Sequence, residues 1–231
     1  MGAGTLINLH SHTDFSDGSF SASAIVEAAA KGGLSHIAIT DHFETSKVAR
    51  CLRSSQFDEY LSQLRALRDE HRGRIQVLAG VEIDTSPVRT NLENLPVDKL
   101  NELDLVLLEY VNDWNTGGSA LNELDALISR LDVPVGLAHT DIATAFCGIA
   151  PEEVADLLRS YGLFVEVNTA AFYSRDGVPY YEGSREHFSA FKDKVKVSVG
   201  TDVHRNIAEV ANVRRGYEFV RESGLECMLL F

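Results

Sequence analysis

Cysteine is scarce in this sequence, and its scarcity narrows the chemistry to consider. The three cysteines among 231 residues are Cys51, Cys147 and Cys227. They are widely spaced and odd in number, which argues against a disulfide framework and against a cysteine-rich zinc site. We therefore expect reduced thiols, and thiol chemistry is not the first hypothesis for function.

Positive charge is also in short supply. The sequence has 21 Lys and Arg residues against 34 Asp and Glu residues, a formal net charge of −13, and it has no basic run with interleaved aromatic residues. Such a chain would repel a phosphate backbone, so nucleic acid is not an expected partner. Bound divalent cations would offset part of this charge locally, and a small anionic substrate at a metal-filled pocket therefore stays compatible with the composition.

Long apolar runs are absent as well. No run reaches the roughly 18 residues that a membrane span requires. The start, "MGAGTLINLHSH", lacks the basic and apolar segments of a signal peptide. We therefore expect a soluble, cytoplasmic protein with no membrane partner. The 45% hydrophobic content is enough for a substantial core in one domain over residues 1–231.

The sequence does contain a regular alternation of short apolar runs and helical segments. Seven runs predict strands: "TLINLHSH", "SHIAITDH", "IQVLAGVEID", "LDLVLLEYV", "PVGLAHTD", "GLFVEVNT" and "VKVSVGTDVH". The predicted helices between them are "SASAIVEAAAKGG", "FDEYLSQLRALRDEHRG", "ALNELDALISRLD", "PEEVADLLRSYG" and "IAEVANVRRGYEFVRESG". This alternation predicts an α/β protein with a parallel sheet. Both a barrel and an open doubly wound sheet satisfy it, although no glycine-rich phosphate loop follows the first run to favour a dinucleotide-binding sheet.

Polar residues collect at the C-terminal ends of these runs. They are His10, His12, Asp41, His42, Glu82, Asp84, Glu109, His139, Asp141, Asn168, Asp202 and His204. The C-terminal ends of parallel strands meet on one face, which is where barrel enzymes have their active sites. Residues two apart on a strand share a face, and this pairs His10 with His12, Glu82 with Asp84, and Asp202 with His204.

A metal site explains this concentration better than separate structural roles do. One histidine at a strand end is commonly a hydrogen-bonded loop residue, but here six strand ends behave alike. Imidazole and carboxylate donors suit Zn, Mn or Fe, and a shared carboxylate can bridge two ions. We interpret His36, His71 and His187, at strand starts or in helices, as structural. The predicted ligands are His10, His12, His42, Glu82, His139, Asp202 and His204.

The ordered motifs carry a family resemblance. The segments "HSHTDFSDGS", "ITDH", "GVEID", "LAHTD", "VEVNTAAFYSR" and "GTDVH" resemble those of the PHP family, the polymerase and histidinol phosphatase superfamily. The resemblance covers nearly the whole chain. It implies a distorted (β/α)7 TIM-like barrel with a metal site at the C-terminal ends of the strands. It also implies three ions, held by His10, His12, Glu82 and Asp202, by Glu82 and His139, and by Asp17, His42 and His204.

One position departs from the family pattern. Many members have a histidine near the end of the fourth strand, but "LDLVLLEYVNDW" has none, and Glu109 is the nearest inward-facing candidate. Glu109 is either a ligand or a solvated loop carboxylate. As a ligand, its oxygen donor would favour Mn, Fe or Mg over Zn at the second position, whereas without it that ion would be weak or absent. We accordingly expect two or three divalent ions, with Zn, Mn or Fe as candidates.

The function predicted on this basis is a metal-dependent phosphoesterase. Metal coordination lowers the pKa of water from about 16 to about 7, which supplies a metal-bound hydroxide as nucleophile. Arg175 matches the family's phosphate-contacting arginine, and Arg205 is a second candidate for binding the phosphoryl group. Asp14 and His204 are the candidates for protonating the leaving group. The expected substrate is a small phosphorylated metabolite, which the sequence does not specify further, and no oligomeric state is indicated.

Two other functions fit parts of the pattern. An amidohydrolase-like enzyme would use the same kind of barrel and hydroxide on a C–N or C–O bond. Many such enzymes bridge their ions with a modified lysine at a strand end, and none of the six lysines lies at one, since Lys196 is at the start of the seventh strand. A non-catalytic metal-binding module is the third hypothesis. It is disfavoured because the ligand set is nearly complete.

Overall fold

The computed structural model describes residues 6–231, and its strands follow the order of the apolar runs. The strands are β1 (Ile7–Asn8), β2 (His36–Ile39), β3 (Gln76–Asp84), β4 (Leu105–Glu109), β5 (Val135–Leu137), β6 (Leu163–Asn168), β7 (Ser174–Arg175), β8 (Val178–Pro179) and β9 (Val197–Gly200). The first predicted run starts at residue 5, outside the described residues. Strand β1 is short, since residues 9–12, which follow it, form hydrogen bonds both with the chain after β2 and with the segment in and after β9.

Helices and single helical turns connect the strands. The α-helices are α1 (Ala22–Lys31), α2 (Phe57–Glu70), α3 (Val97–Leu100), α4 (Asp125–Ile128), α5 (Ile142–Ala145), α6 (Pro151–Ser160), α7 (Tyr180–Gly183), α8 (Arg185–Ala190) and α9 (Arg214–Glu222). Short 3-10 helices cover Leu92–Asn94, Leu121–Leu124, Ile207–Ala211 and Glu226–Met228. Within residues 6–231, no helix has the length and apolar character needed to cross a membrane.

Seven strands form one parallel sheet in the order β1-β2-β3-β4-β5-β6-β9. The sheet then curls so that its two edges meet. The Leu9 amide donates to the Val199 carbonyl at 2.9 Å, and the Asp202 amide donates to the His10 carbonyl at 3.0 Å. The nearly closed barrel, with helices around it, confirms the predicted (β/α)7 TIM-like fold.

Two predicted helices are wrong in extent. Residues 120–132 form only a 3-10 turn followed by the single turn of α4. Residues 207–224 divide into a 3-10 helix and α9, separated at Asn212, whose ψ of 46° lies outside the helical range. The β7–β8 hairpin was not predicted either. It lies inside the connection between β6 and β9, where no run of apolar residues marks a strand.

Packing of the barrel follows from the composition of its strands. All residues of β3 except Gln76 are buried, and so are all of β4, β6 and β9. Helix α1 begins after Ser21, whose hydroxyl accepts a hydrogen bond from the Ala24 amide at 3.3 Å. Its buried face includes Ile25, Val26 and Ala29. The apolar faces of helices and strands therefore form a shell that leaves the strand ends for polar side chains.

Candidate metal centre

The C-terminal ends of the strands bring the predicted ligands together on one side of the barrel. The residues that the structure groups there are His10, His12, Asp17, His42, Glu82, Glu109, His139, Asp202 and His204. They come from segments after β1, β2, β5 and β9 and from β3 and β4 themselves. They comprise the seven ligands predicted from the strand ends, Asp17, which the family resemblance implies, and Glu109, which the sequence left open as a ligand. Together they form four overlapping groups of donor atoms.

The tightest group is formed by His10, His12 and Asp202. Nε2 of His10 lies 3.0 Å from Nε2 of His12 and 3.2 Å from Oδ1 of Asp202, which is 3.0 Å from Nε2 of His12. Glu82 approaches the same two imidazole nitrogens at 3.4 Å. Donors about 2.0–2.2 Å from a tetrahedral ion lie roughly 3.3 Å apart. These four side chains therefore have the spacing of one ion's ligands.

Glu82 also faces two further groups. Its Oε1 lies 2.9 Å from Nε2 of His139, and its Oε2 lies 3.0 Å from Nδ1 of His42. Oε1 of Glu109 is 3.5 Å from the same His42 nitrogen. A carboxylate shared between groups in this way occupies the position expected of a bridging ligand.

The remaining group lies around Asp17 and is wider. Oδ1 of Asp17 is 3.2 Å from Nε2 of His204, 3.8 Å from Nε2 of His42 and 3.9 Å from Nδ1 of His12. His42 thus presents one nitrogen to Glu82 and the other to Asp17. A neutral imidazole has one free lone pair, so His42 can serve an ion in only one of these two groups.

Several buried donor atoms of the cluster have no hydrogen-bond partner among the described residues. They are Nδ1 of His42, Oε2 of Glu82, Oε1 of Glu109 and Oδ1 of Asp202. A buried polar atom left in this state costs about 1–3 kcal/mol. Imidazole nitrogens and carboxylate oxygens are the usual ligands of divalent cations such as Zn, Mn and Fe. Because such atoms converge here without hydrogen-bond partners, these residues suit the ions that the sequence predicts.

In the metal-free cluster, burial and the charges of neighbouring groups shift the pKa values of the histidines. Burial and the charge of His42 lower the pKa of His12 to about 3, so its imidazole is neutral and able to bind an ion. Burial opposes a charge on His10 too, but Glu166, Glu82 and Asp202 raise its pKa well above the ordinary value. Burial also disfavours a charged His204, but the hydrogen bond with Asp17 and the neighbouring carboxylates raise its pKa to about 9.

Two carboxyl groups of the cluster have pKa values shifted in opposite directions. Burial would raise the pKa of Glu82, but the charges of His10 and His42 hold it well below its ordinary value. The pKa of Glu109 is raised by burial and by the neighbouring charge of Glu82. Cations placed among these groups would relieve both the desolvation and the repulsion between carboxylates.

Two residues support the cluster in a role that sequence reasoning did not assign to them. Glu166 on β6 contacts Nδ1 of His10 at 3.0 Å and accepts the backbone N–H of His139 at 2.7 Å. The Tyr173 hydroxyl donates to Oδ2 of Asp202 at 2.5 Å, and the Tyr173 ring stacks on His139 at 4.0 Å. Strand alternation could have found Glu166, because it shares a face with Asn168.

Strand alternation also marks polar residues that lie outside the four donor groups. Asp84 is bound by Arg89, with Nε of Arg89 2.5 Å from Oδ2. Asp41 accepts hydrogen bonds from Thr13 and Ser16 and so holds the turn that carries Asp17. A polar residue at a strand end can therefore be either a ligand or a residue that positions one, and the sequence pattern alone does not separate the two.

A cavity of about 1400 Å³ opens over the cluster. Arg175 and Arg205 both line it, and Arg175 is paired with Asp141 at 2.7 Å. Trp114 and Phe172, at its rim, are 73% and 85% exposed.

Asp14, one of the two predicted proton donors, is exposed and lies outside both the cavity lining and the donor groups. Its backbone amide donates to the Phe20 carbonyl at 2.9 Å, across the turn that carries Asp17.

Lys47 is a cavity residue that the sequence did not suggest. Its ammonium nitrogen lies 2.6 Å from Oε2 of Glu109. Burial alone would lower the pKa of Lys47, but the carboxylates of Glu82 and Glu109 raise it. Glu109 is itself fully buried, so the interpretation of it as a solvated loop carboxylate is wrong. It lies within the cluster and is paired with a lysine.

The fold and the site together define an α/β barrel with groups of imidazole and carboxylate donors that could hold metal ions at the C-terminal ends of its strands. Residues 8–113 match the family model described as the PHP domain, which confirms the resemblance indicated by the motifs. The chain is also similar to the DNA polymerase/3'-5' exonuclease PolX of Bacillus subtilis, with 26% identity over 223 residues. That alignment covers 95% of this chain but only 37% of the polymerase.

Other proteins are similar over more of their own length. A probable phosphatase of Caldanaerobacter subterraneus subsp. tengcongensis is 26% identical over 212 residues, which are 86% of this chain and 76% of that protein. Histidinol phosphate phosphatase of Lactococcus lactis, solved with zinc, L-histidinol and phosphate, superposes with a TM-score of 0.67 at 15% identity. The superposition covers 95% of this chain and 94% of that one, and it supports the same fold.

Proposed function

We propose that the protein is a metal-dependent phosphoesterase that hydrolyses a small phosphorylated metabolite. The observation that carries the proposal is the set of buried, partnerless imidazole and carboxylate atoms at the floor of a cavity whose wall includes arginines. The similarity to a probable phosphatase and to a histidinol phosphate phosphatase supports the same reaction class. Two or three divalent ions, with Zn, Mn and Fe as candidates, would be held by the nine clustered residues.

When bound, the ions would act as Lewis acids and would lower the pKa of a water molecule. The chain's own residues would do the rest. Arg175 and Arg205 are the candidates for binding the phosphoryl oxygens, because both line the cavity. An arginine fork matches the oxygens of a phosphate group and stabilises the charge that spreads over them during transfer.

His204 is the better candidate for protonating the leaving group, since Asp14 lies outside the cavity. Nε2 of His204 is 3.2 Å from Oδ1 of Asp17, and its raised pKa keeps it protonated at neutral pH in the metal-free protein. The same nitrogen is also a predicted ion ligand, and one nitrogen cannot hold a proton and an ion together. His204 can therefore act as an acid only when the group around Asp17 holds no ion.

The test joins metal content to hydrolysis. The purified protein would be reconstituted with Mn, Zn or Fe, its ions counted by plasma mass spectrometry, and its hydrolysis of p-nitrophenyl phosphate measured. We expect two or three ions per chain and activity that is lost in His10→Ala. His187, which is half-buried on α8 and lies outside the four donor groups, provides a histidine control as His187→Ala. A full ion complement with no hydrolysis of several phosphoesters would refute the phosphoesterase and favour another bond, as in the amidohydrolase-like hypothesis, or a binding role.

A further inference from the structure

Lys47 lies in the loop between β2 and α2 and lines the cavity beside the cluster. Its ammonium is 2.6 Å from Oε2 of Glu109, which is fully buried. It also lies 4.9 Å from the centroid of the Tyr110 ring. The ammonium is therefore held between a carboxylate and an aromatic face, next to the atoms that could hold an ion.

The loop that carries Lys47 is fixed on both sides. The Lys47 amide donates to Oγ1 of Thr45 at 3.0 Å, and the Ser46 amide donates to the Arg89 carbonyl at 3.0 Å. Thr45 pairs with Thr90 in an isolated bridge. Because the loop is already ordered, little conformational entropy would be lost when its side chain binds a ligand.

Among the described residues, the ammonium of Lys47 makes one hydrogen bond, the one to Glu109. An ammonium has three N–H donors, so two are left for a group in the cavity. The nearby arginines differ in this respect. Arg89 uses Nε and both terminal nitrogens on Asp84 and the Thr116 carbonyl, and Arg175 is paired with Asp141.

We propose that Lys47 is a substrate-binding residue that donates to a phosphoryl oxygen, an inference that rests on the proposed phosphoesterase function. Lys47 follows β2, whereas Arg175 follows β6 and Arg205 follows β9. The phosphoryl group would thus be contacted by cations from separate parts of the barrel rim. One oxygen of Glu109 holds the ammonium in place, while its other oxygen stays available to an ion.

A purely structural role for Lys47 makes a different prediction. If its charge served only to balance Glu109 and Glu82, removing it would change the number of ions bound, and any change in phosphate affinity would follow from that number. If it binds the substrate, removing it would weaken phosphate binding while leaving the ion content as it was. Ion content and phosphate affinity therefore have to be measured on the same samples.

The experiment uses Mn-loaded wild type, Lys47→Met, Lys47→Arg and the matched control Lys196→Met, whose lysine is exposed at the opposite end of the barrel. Ions are counted by plasma mass spectrometry, and binding of inorganic phosphate is measured by titration calorimetry. We expect Lys47→Met to keep its ions and to bind phosphate roughly 10- to 100-fold more weakly, the range for a lost charge-assisted hydrogen bond. Lys47→Arg should recover part of this loss, and Lys196→Met should match the wild type.

Phosphate affinity within twofold of wild type in Lys47→Met would overturn the proposal for Lys47, as would a change in ion number that accounts for the weaker binding. If the wild type still hydrolyses phosphoesters in either case, the proposed function stands. A wild type that neither binds phosphate nor hydrolyses any phosphoester would overturn the proposed function and the role of Lys47 together.

Discussion

At the scale of single residues, the cluster depends on groups that touch no ion themselves. The Glu166 carboxylate accepts two hydrogen bonds, one from Nδ1 of the His10 imidazole and one from the backbone amide of His139. A carboxylate at Nδ1 keeps the proton there and turns Nε2 towards the ion site. Gly200 makes room for this carboxylate, because a Cβ at position 200 would overlap Oε1 of Glu166.

Replacing Glu166 with Gln should therefore weaken metal binding with little change in side-chain volume. An amide has one acceptor oxygen, so either His10 or His139 would face an NH2 group instead of an acceptor. We expect metal affinity to fall by roughly 10- to 100-fold, the usual effect of losing such a partner. Competition with a chromogenic chelator measures the affinity. The exposed Glu226→Gln is the control, and an affinity within twofold of wild type in Glu166→Gln would contradict the role assigned to Glu166.

The sequence predicts which residues cluster better than it predicts what each one does. Eight of the nine clustered residues were found because parallel strands end on one face or because the family motifs mark their positions, whereas Glu109 departs from the family pattern and was left open as a ligand. The contacts of Lys47 with Glu109 and of Tyr173 with Asp202 were not predicted, because each residue lies in a loop whose path only the folded chain defines. Asp14 was a candidate for protonating the leaving group, but its side chain is exposed and lies outside the cavity lining.

At the scale of elements, strands were predictable and helix lengths were less so. An apolar run between polar residues is enough to mark a buried parallel strand. Residues 207–224 read as one helix because their apolar residues keep a helical spacing, yet the segment breaks at Asn212. The break lets the two pieces contact different parts of the barrel: the first packs on α1, whereas α9 packs on β6 and β9.

Helix α9 is attached to the first strand through Tyr217, and this attachment should be sensitive to alkaline pH. The Tyr217 hydroxyl accepts a hydrogen bond from the Ile7 amide at 2.6 Å. Burial raises the pKa of Tyr217 from 10 to about 12. Between these values the folded protein keeps a proton that the unfolded chain has lost. The stability contributed by Tyr217 is thus complete below pH 10 and declines as the pH rises towards 12.

Tyr217→Phe removes this titration along with the hydrogen bond. Near pH 8 we expect the variant to be less stable than wild type by about 1 kcal/mol, the value of one hydrogen bond. This difference should fall by about 1–2 kcal/mol towards pH 12, so that it disappears or reverses in sign. The change is smaller than the full pKa shift implies because the ring is partly exposed to solvent. Urea denaturation at several pH values measures both quantities. Parallel pH profiles for the two proteins would show that Tyr217 does not titrate as described.

At the scale of the whole molecule, the closure of the barrel and the candidate metal centre are built from the same residues. His10 and Asp202 join the first and last strands through a backbone hydrogen bond, and their side chains lie in the same group of donor atoms. The chain carries a net charge of −13, and four of the clustered residues are carboxylates brought close together. Cations bound there would offset repulsion at the seam of the sheet.

We propose on this basis that the described residues unfold as one domain whose stability depends on its ions. An ion present at 100 times its dissociation constant contributes about 2.7 kcal/mol to stability. For a chain of this size, that corresponds to a rise in the melting temperature of roughly 5–10 °C. Chelation should lower the melting temperature by this amount in the wild type and in His187→Ala, and by less than half of it in His10→Ala.

Calorimetric scans of the metal-loaded and chelated forms make this measurement. We expect a single transition in each, because the hydrogen bonds between the first and last strands make the barrel a closed unit. Two separate transitions would contradict the single domain. A melting temperature that does not respond to chelation, or one that responds equally in His10→Ala and in wild type, would mean that the clustered donor atoms do not bind stabilising ions, and the seam would then owe its stability to packing and backbone hydrogen bonds alone.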